Sequence, residues 1–192
     1  MLASTVSKAE LRALGLARRA AMTEDERRAA SKVAAARLKP LLRPGETVSL
    51  FWPMRGEIDP RGLVNDILEI GGHVAMPVVE KRQMHFRRFD GEACLEAGVF
   101  GTRHPNAAQP VVDPDFVVAP LAAFDRRGAR IGYGAGYYDF ALADLSERKP
   151  ALRAAGIAFA CQEVADIPVE PHDRLLSFIA TERELIETGA VR

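Results

Sequence analysis

The chain has 192 residues, 48% of them hydrophobic and 27% charged, a balance expected of one globular domain (1–192) with a sizeable core. Its 26 basic and 26 acidic side chains cancel to a formal net charge of zero, so no global field draws in nucleic acid or an anionic membrane, and any anion site must be local. No apolar run reaches the ~20 residues of a membrane span, and the N-terminus lacks the apolar core of a secretion signal. Cys94 and Cys161 fit no metal or redox spacing, so buried, reduced thiols and a cytoplasmic setting are expected.

Two helices open the chain, each with a capping-box signature: Ser7 with Glu10, and Thr23 with Glu26. Pro40 and the Pro44-Gly45 pair end the helical stretch. A strand from Thr47 to Trp52 follows, then a helix from Pro60 to Ile70 closed by Gly71-Gly72, and a strand from His73 to Val79. Met84 to Phe89 alternates like an edge strand, and Glu92 to Phe100 suggests a short helical turn. The connection from Pro105 to Pro114 has no periodicity and reads as loop. Beyond it come an apolar strand from Phe116 to Ala119, a helix around Tyr138 to Glu147, and buried strands at Gly156–Ala160 and Leu175–Ala180. A helix from about Glu182 is expected to end the chain. Strands alternating with helices argue for a largely parallel sheet covered on both faces.

Residues 120–140, PLAAFDRRGARIGYGAGYYDF, hold the densest chemical signal. Behind the polar turn Asp125-Arg126-Arg127-Gly128 stand three glycines at alternate positions, Gly132, Gly134 and Gly136, and then Tyr137, Tyr138 and Asp139, where a helical pattern begins. Alternating glycines let successive backbone N–H groups point one way and let a ligand approach the main chain. A helix N-terminus behind them makes a plausible anion cradle. The plainer reading is a glycine-rich turn joining strand to helix. Arg130 at the entrance and Asp139 at the exit favour the phosphate site. No Walker lysine and hydroxyl pair follows the glycines, and the spacing is G-x-G-x-G, not the dinucleotide G-x-G-x-x-G.

The run Arg130-Ile131-Gly132-Tyr133-Gly134-Ala135-Gly136-Tyr137-Tyr138-Asp139 closely resembles the R-[IL]-G-x-G-x-G-Y-Y-D pattern of the 5-formyltetrahydrofolate cyclo-ligase family, also called methenyltetrahydrofolate synthetases. Matches run in order from residue 8 to residue 182. The resemblance implies a three-layer α/β/α fold with a mostly parallel sheet, related to the sugar-phosphate isomerase and CoA-transferase group.

Four further places gain meaning from the resemblance. Lys8 and Arg12 share one helix face, and a cation in a first turn opposes the macrodipole. A solvated basic face is the plain reading, whereas the family uses this pair on ATP phosphates. Trp52, the only tryptophan, and Glu57 stand in Phe51-Trp52-Pro53-Met54-Arg55-Gly56-Glu57-Ile58-Asp59-Pro60. Asp59 and Pro60 read as a helix cap and first position, while Trp52 and Glu57 match positions that line the folate pocket. Pro60 stands where the family usually has threonine. Phe100 is placed to stack on the pterin, but His104 replaces the usual glutamate or glutamine and reads as an exposed loop residue. Finally, His172-Asp173 is either a turn-forming pair or, as in the family, a site whose aspartate joins Asp139 in binding Mg2+ beside ATP phosphates.

The resemblance implies ATP-dependent cyclisation of 5-formyltetrahydrofolate to 5,10-methenyltetrahydrofolate with release of ADP and phosphate. Lys8, Arg12, Arg130 and the loop residues Gly132, Tyr133, Gly134, Ala135, Gly136, Tyr137 and Tyr138 would then bind ATP, with Lys8 and Arg130 acting in catalysis. Trp52, Glu57, Phe100, Tyr137 and Tyr138 would line the folate side, and Tyr133 is within reach of either ligand. Two rivals stay open: another enzyme of the same fold group, for which Glu57 is the sole candidate acyl carrier, and a non-catalytic or repurposed paralogue that binds folate or nucleotide.

Overall fold

A computed structural model describes residues 6–98, 101–170 and 173–189. Both capping boxes form: the Ser7 hydroxyl accepts from the Glu10 amide while the Glu10 carboxylate accepts from the Ser7 amide, and Thr23 and Glu26 repeat the exchange. They start helices α1 (Lys8–Ala20) and α2 (Glu24–Leu38). Strand β1 (Thr47–Ser49) is shorter than expected, because residues 50–52 leave the ladder. The next helix divides into a 3-10 turn at Arg61–Leu63 and α3 (Val64–Glu69). The expected cap is shifted: Pro60, not Asp59, is the N-cap, and the Asp59 carboxylate just before it accepts from the Arg61 amide at 2.9 Å.

Strand β2 (His73–Glu80) turns back into β3 (Gln83–Arg88), which pairs antiparallel with it at the sheet edge as expected. The helical turn expected at 92–100 forms in part: among its described residues Glu92–Cys94 is a 3-10 turn, while Leu95–Ala97 (β4) pairs antiparallel with Arg103–Pro105 (β5) in a separate ribbon, and residues 99 and 100 lie outside the described residues. Then come β6 (Phe116–Pro120) and a small hairpin of β7 (Ala123–Phe124) and β8 (Arg130–Ile131). The hairpin turn is organised by buried Asp125, whose carboxylate accepts from the Arg127 amide at 2.9 Å and the Ile167 amide at 3.0 Å. Helix α4 (Tyr137–Arg148), β9 (Arg153–Ile157) and β10 (Phe178–Ala180) follow.

Among the described residues the helix expected from about Glu182 is not formed. Residues Leu185–Glu187 are strand β11, antiparallel to β10. Thr181 makes the turn: its amide donates to the Glu184 carbonyl at 2.9 Å, and its hydroxyl accepts from the Glu184 amide at 3.1 Å. Closing that turn returns the chain along the sheet edge before a helix can propagate.

The seven-stranded sheet has the order β11-β10-β9-β6-β1-β2-β3, with its five central strands parallel and both edges antiparallel. Apolar residues of α2 and α3 pack on one face against Val48, Met76, Phe116 and Val118. Ala141, Leu142 and Leu145 of α4 cover the other face over Ala75 and Val117. Successive strand residues point to opposite faces, which is why β6 (FVVAP) is apolar throughout. Among the described residues no helix is long and apolar enough to cross a membrane.

Helix α1 sits at the carboxyl end of the sheet, with Leu11 packed among Ala123, Ala129 and Ile131. Its approach depends on Gly15, where a Cβ would fall 2.1 Å from the Ala122 carbonyl oxygen. Gly15→Ala should therefore push α1 outward and cost about 1–3 kcal/mol, as overpacking against unyielding backbone does. Urea denaturation checks this, and a loss no larger than that of an exposed Gly→Ala change would contradict the contact.

Candidate active site

Open α/β sheets bind ligands outside the carboxyl ends of their strands, where the strand order reverses. Here the reversal falls between β1 and β6, since β1 leads to β2 on one side while β6 leads to β9 on the other. A cavity of about 520 Å3 opens at that point, lined by Phe51 and Trp52 beyond β1, Pro77 and Val79 of β2, and Pro120 of β6. It gathers most of the sequence-predicted residues: Arg12, Trp52, Glu57, Arg130, Gly132, Tyr133, Ala135, Gly136, Tyr137, Tyr138 and Asp139. Lys8, Gly134 and Asp173 are not in the lining. Phe100 and His172 lie outside the described residues. His104 is corrected: it sits in β5 with its side chain only 14% exposed and lines the cavity.

The glycine loop presents an uncapped helix end. Gly136 is the N-cap of α4 in a left-handed conformation (φ 68°), and no side chain caps it. Gly134 also has positive φ, 100°, which an L side chain would resist. The first-turn amides of α4 thus have no intrahelical or capping partner. Arg12 crosses from α1 to this loop, its Nε donating to the Gly132 carbonyl at 2.8 Å.

Two cation–carboxylate pairs flank the loop. The Lys8 ammonium donates to Asp173 at 2.6 Å and lies 3.5 Å from Glu170. Partial burial works against its charge, but the hydrogen bond and charge of Asp173, with Glu170, hold its pKa above the ordinary lysine value. Arg130 pairs with Asp139 and donates to the Arg174 carbonyl. Its side chain is 6% exposed, and this burial pulls its pKa down against the support of Asp139, Asp173 and Tyr138.

The opposite wall is built on the turn Met54-Arg55-Gly56-Glu57, closed by the Glu57 amide donating to the Met54 carbonyl at 2.9 Å. Arg55 (φ 49°) and Gly56 (φ 73°) both have positive φ, as in a primed turn. An arginine in that conformation costs about 1–2 kcal/mol. The Glu57 carboxylate accepts from the Met54 amide at 2.9 Å through Oε2, while Oε1 is buried without a hydrogen-bond partner. Burial raises the Glu57 pKa, opposed by the Tyr133 hydroxyl, the Met54 amide, Arg19 and Arg55. The Tyr138 hydroxyl, also in the lining, is likewise buried and unpartnered, with its pKa raised by burial. Trp52 lies under two guanidinium groups, Arg61 at 4.1 Å and Arg103 at 4.7 Å from its ring centroid.

Sequence reasoning missed Arg19. It is buried, donates to the Tyr133 hydroxyl, and donates to the Arg55 carbonyl at 3.1 Å. The signal was present, since positions 8, 12 and 19 return to one helix face at 3.6 residues per turn. A second groove of about 730 Å3 lies between α2 and residues 53–62, lined by Arg27, Lys32 and Lys39 and sharing Met54, Arg55 and Glu57 with the cavity. No glycine-loop residue reaches it. The smaller cavity is therefore the better site for chemistry.

The sequence matches the 5-formyltetrahydrofolate cyclo-ligase family over residues 4–182, and the chain belongs to that family. A 5-formyltetrahydrofolate cyclo-ligase of Mycolicibacterium smegmatis is 29% identical over 187 residues, 91% of this chain and 93% of the relative. The enzyme of that name from Escherichia coli K12 is 28% identical over 179 residues, 88% of this chain and 97% of the relative. The solution structure of Aquifex aeolicus 5,10-methenyltetrahydrofolate synthetase superposes with a TM-score of 0.79 at 31% identity, covering 96% of this chain and 94% of that one.

The Glu57 shift has a measurable consequence. A carboxyl whose folded pKa lies above its unfolded value of 4.5 binds more protons when folded, so stability falls as pH rises through that interval. Glu57→Gln removes this loss. The stability of the variant relative to the native chain should be greater at about pH 7 than at about pH 4. Urea titrations at both pH values test it, and an equal difference at the two would contradict the raised pKa.

Proposed function

We propose that the chain converts 5-formyltetrahydrofolate to 5,10-methenyltetrahydrofolate at this cavity, consuming ATP and releasing ADP and phosphate. The observation that carries the reading is the facing of two unlike halves. An uncapped glycine loop flanked by Lys8, Arg12 and Arg130 stands across from the buried Glu57 carboxylate. The first half suits a triphosphate and the second a flat ligand with ring N–H donors.

A formyl oxygen on nitrogen-5 is a weak nucleophile and a poor leaving group, so ATP must activate it. The oxygen attacks the γ-phosphorus and ADP departs. Nitrogen-10 then attacks the formyl carbon, loses its proton, and expels phosphate as the methenyl bridge closes. Phosphoryl transfer asks the protein mainly for positioning and charge neutralisation. Lys8, Arg12, Arg130 and the amides from Gly132 to Tyr138 supply these. Glu57 accepts from the pterin, and Trp52, Tyr137 and Tyr138 wall it.

Among the described residues no three His, Cys, Asp or Glu side chains gather as a metal cluster. Asp139 and Asp173 nevertheless fit magnesium that arrives with ATP, because such an ion takes one or two carboxylates and completes its shell with phosphate oxygens and water. When bound there it would neutralise charge on the transferring phosphoryl group. Each carboxylate is paired with a cation, Lys8 or Arg130, so phosphates entering the loop compete for both cations and leave the aspartates for the ion. Consumption of ATP, with Cys94 and Cys161 both free thiols, fits the cytoplasm.

The test is the near-ultraviolet absorbance of the methenyl product, formed from 5-formyltetrahydrofolate and ATP and titrated against magnesium. Wild type should form it. Asp139→Asn and Asp173→Asn should each depress turnover by about tenfold or more and raise the magnesium requirement, with strongly non-additive losses in the double variant, as expected of two groups serving one ion. No product from folded protein would overturn the function. Additive losses with an unchanged magnesium dependence would overturn the shared ion.

A further inference from the structure

Arg19 is spent on neither phosphate nor the folate ring, yet it is the most buried cation of α1, with 7% exposure. Its two terminal nitrogens go to different halves of the cavity. One donates to the Tyr133 hydroxyl in the middle of the glycine loop, and the other to the carbonyl of Arg55, the strained residue of the turn that carries Glu57. Its guanidinium also lies 5.7 Å from the Tyr133 ring centroid. Arg19 and Tyr133 both reach the two loops, since the Tyr133 hydroxyl also interacts with the Glu57 carboxylate. Conformations as costly as that of Arg55 persist only where their surroundings over-determine them. The Arg55 turn has such restraints in the Glu57 amide on the Met54 carbonyl, the Met54 amide on the Glu57 carboxylate, and Arg19 on the Arg55 carbonyl. Arg19 on the Arg55 carbonyl comes from outside the turn, as does the Tyr133 hydroxyl acting on the Glu57 carboxylate.

From this geometry we propose that Arg19 is a positioning residue that ties the nucleotide loop to the turn presenting Glu57, so that occupancy of one half of the cavity favours the folate- or ATP-competent form of the other. The inference rests on the cyclo-ligase reading. Tyr133 stands 39% exposed at the rim while its hydroxyl is tucked against Arg19, so a nucleotide that orders the glycine loop orders Tyr133. Through Arg19, that fixes the Arg55 carbonyl and the direction of Glu57 Oε1. Lysine at position 19 would keep the charge but lose the rigid planar fork that presents separate nitrogens to the two loops. By linkage, ATP must tighten folate binding by the same factor as folate tightens ATP binding.

Trp52 is the only tryptophan and lines the cavity, so its fluorescence reports folate binding. Affinity for 5-formyltetrahydrofolate should be measured with and without a non-hydrolysable ATP analogue, in wild type, Tyr133→Phe, Arg19→Lys and the double variant. Wild type should show tightening by about fivefold or more, the usual lower range for coupled sites. Each single variant should reduce the factor to below about twofold, and the double variant should be no worse than either alone. The KM for folate at saturating ATP should rise in the variants more than kcat falls. Tyr133→Phe also removes that hydroxyl's interaction with Glu57, so Arg19→Gln serves as the second test of Arg19 itself should Arg19→Lys fold poorly. Wild-type protein that binds both ligands and forms product without coupling, or variants that keep the coupling, would overturn the role of Arg19 alone. Wild-type protein that binds neither ligand and forms no product would sink this inference together with the reading beneath it.

Discussion

The contact of Gly15 with the backbone at Ala122 is the constraint on which the site depends. Only a residue without a Cβ lets α1 lie against the chain just beyond β6. The Ala122 carbonyl is itself held in place, because the buried Gln162 amide donates to it at 2.9 Å and to the Leu121 carbonyl at 2.8 Å. Helix, strand end and the segment after β9 are thereby locked at one spot. Lys8, Arg12 and Arg19 project from the helix so placed, and each meets a loop far away in sequence: Asp173, Gly132, and Tyr133 with Arg55. Moving α1 outward by the width of a methyl group would disturb all of these meetings together.

The whole chain is neutral, and beside the glycine loop two cations are paired, Lys8 with Asp173 and Arg130 with Asp139. Half-buried ion pairs of this kind add little net stability, since desolvation and lost side-chain freedom offset the Coulomb gain. Under the proposed function, a triphosphate with its metal would bring negative charge for the cations and positive charge for the carboxylates, so both pairs could be exchanged without stranding a charge. A site of uniformly positive residues would repel itself when empty, and the paired arrangement avoids that.

Much of this was legible in the sequence where local rules act alone. Ser7 with Glu10 and Thr23 with Glu26 announced both opening helices because a capping box needs no tertiary partner. The unbroken apolar run at Phe116 announced a buried parallel strand, and the alternate glycines announced a loop ending at a helix N-terminus. Legibility failed where the partner is distant. Leu185–Glu187 has a helix-like charge pattern but becomes a strand because β10 offers an edge and Thr181 closes the turn. The β4–β5 ribbon, three residues a side, is too short to show a period, so His104 was read as exposed. Arg19 lay on a visible helix face, but its importance comes from two loops 36 and 114 residues away.

The central claim is that phosphates bind between α1 and the glycine loop, across from Glu57. A crystal structure with a non-hydrolysable ATP analogue and Mg2+ tests it most directly. The account predicts the γ-phosphate against the amides between Gly132 and Tyr138, with nitrogens of Lys8 and Arg130 turned from their carboxylates to within about 3.2 Å of phosphate oxygens. Phosphates seated instead in the groove of Arg27, Lys32 and Lys39, with the Lys8–Asp173 and Arg130–Asp139 pairs intact, would contradict it.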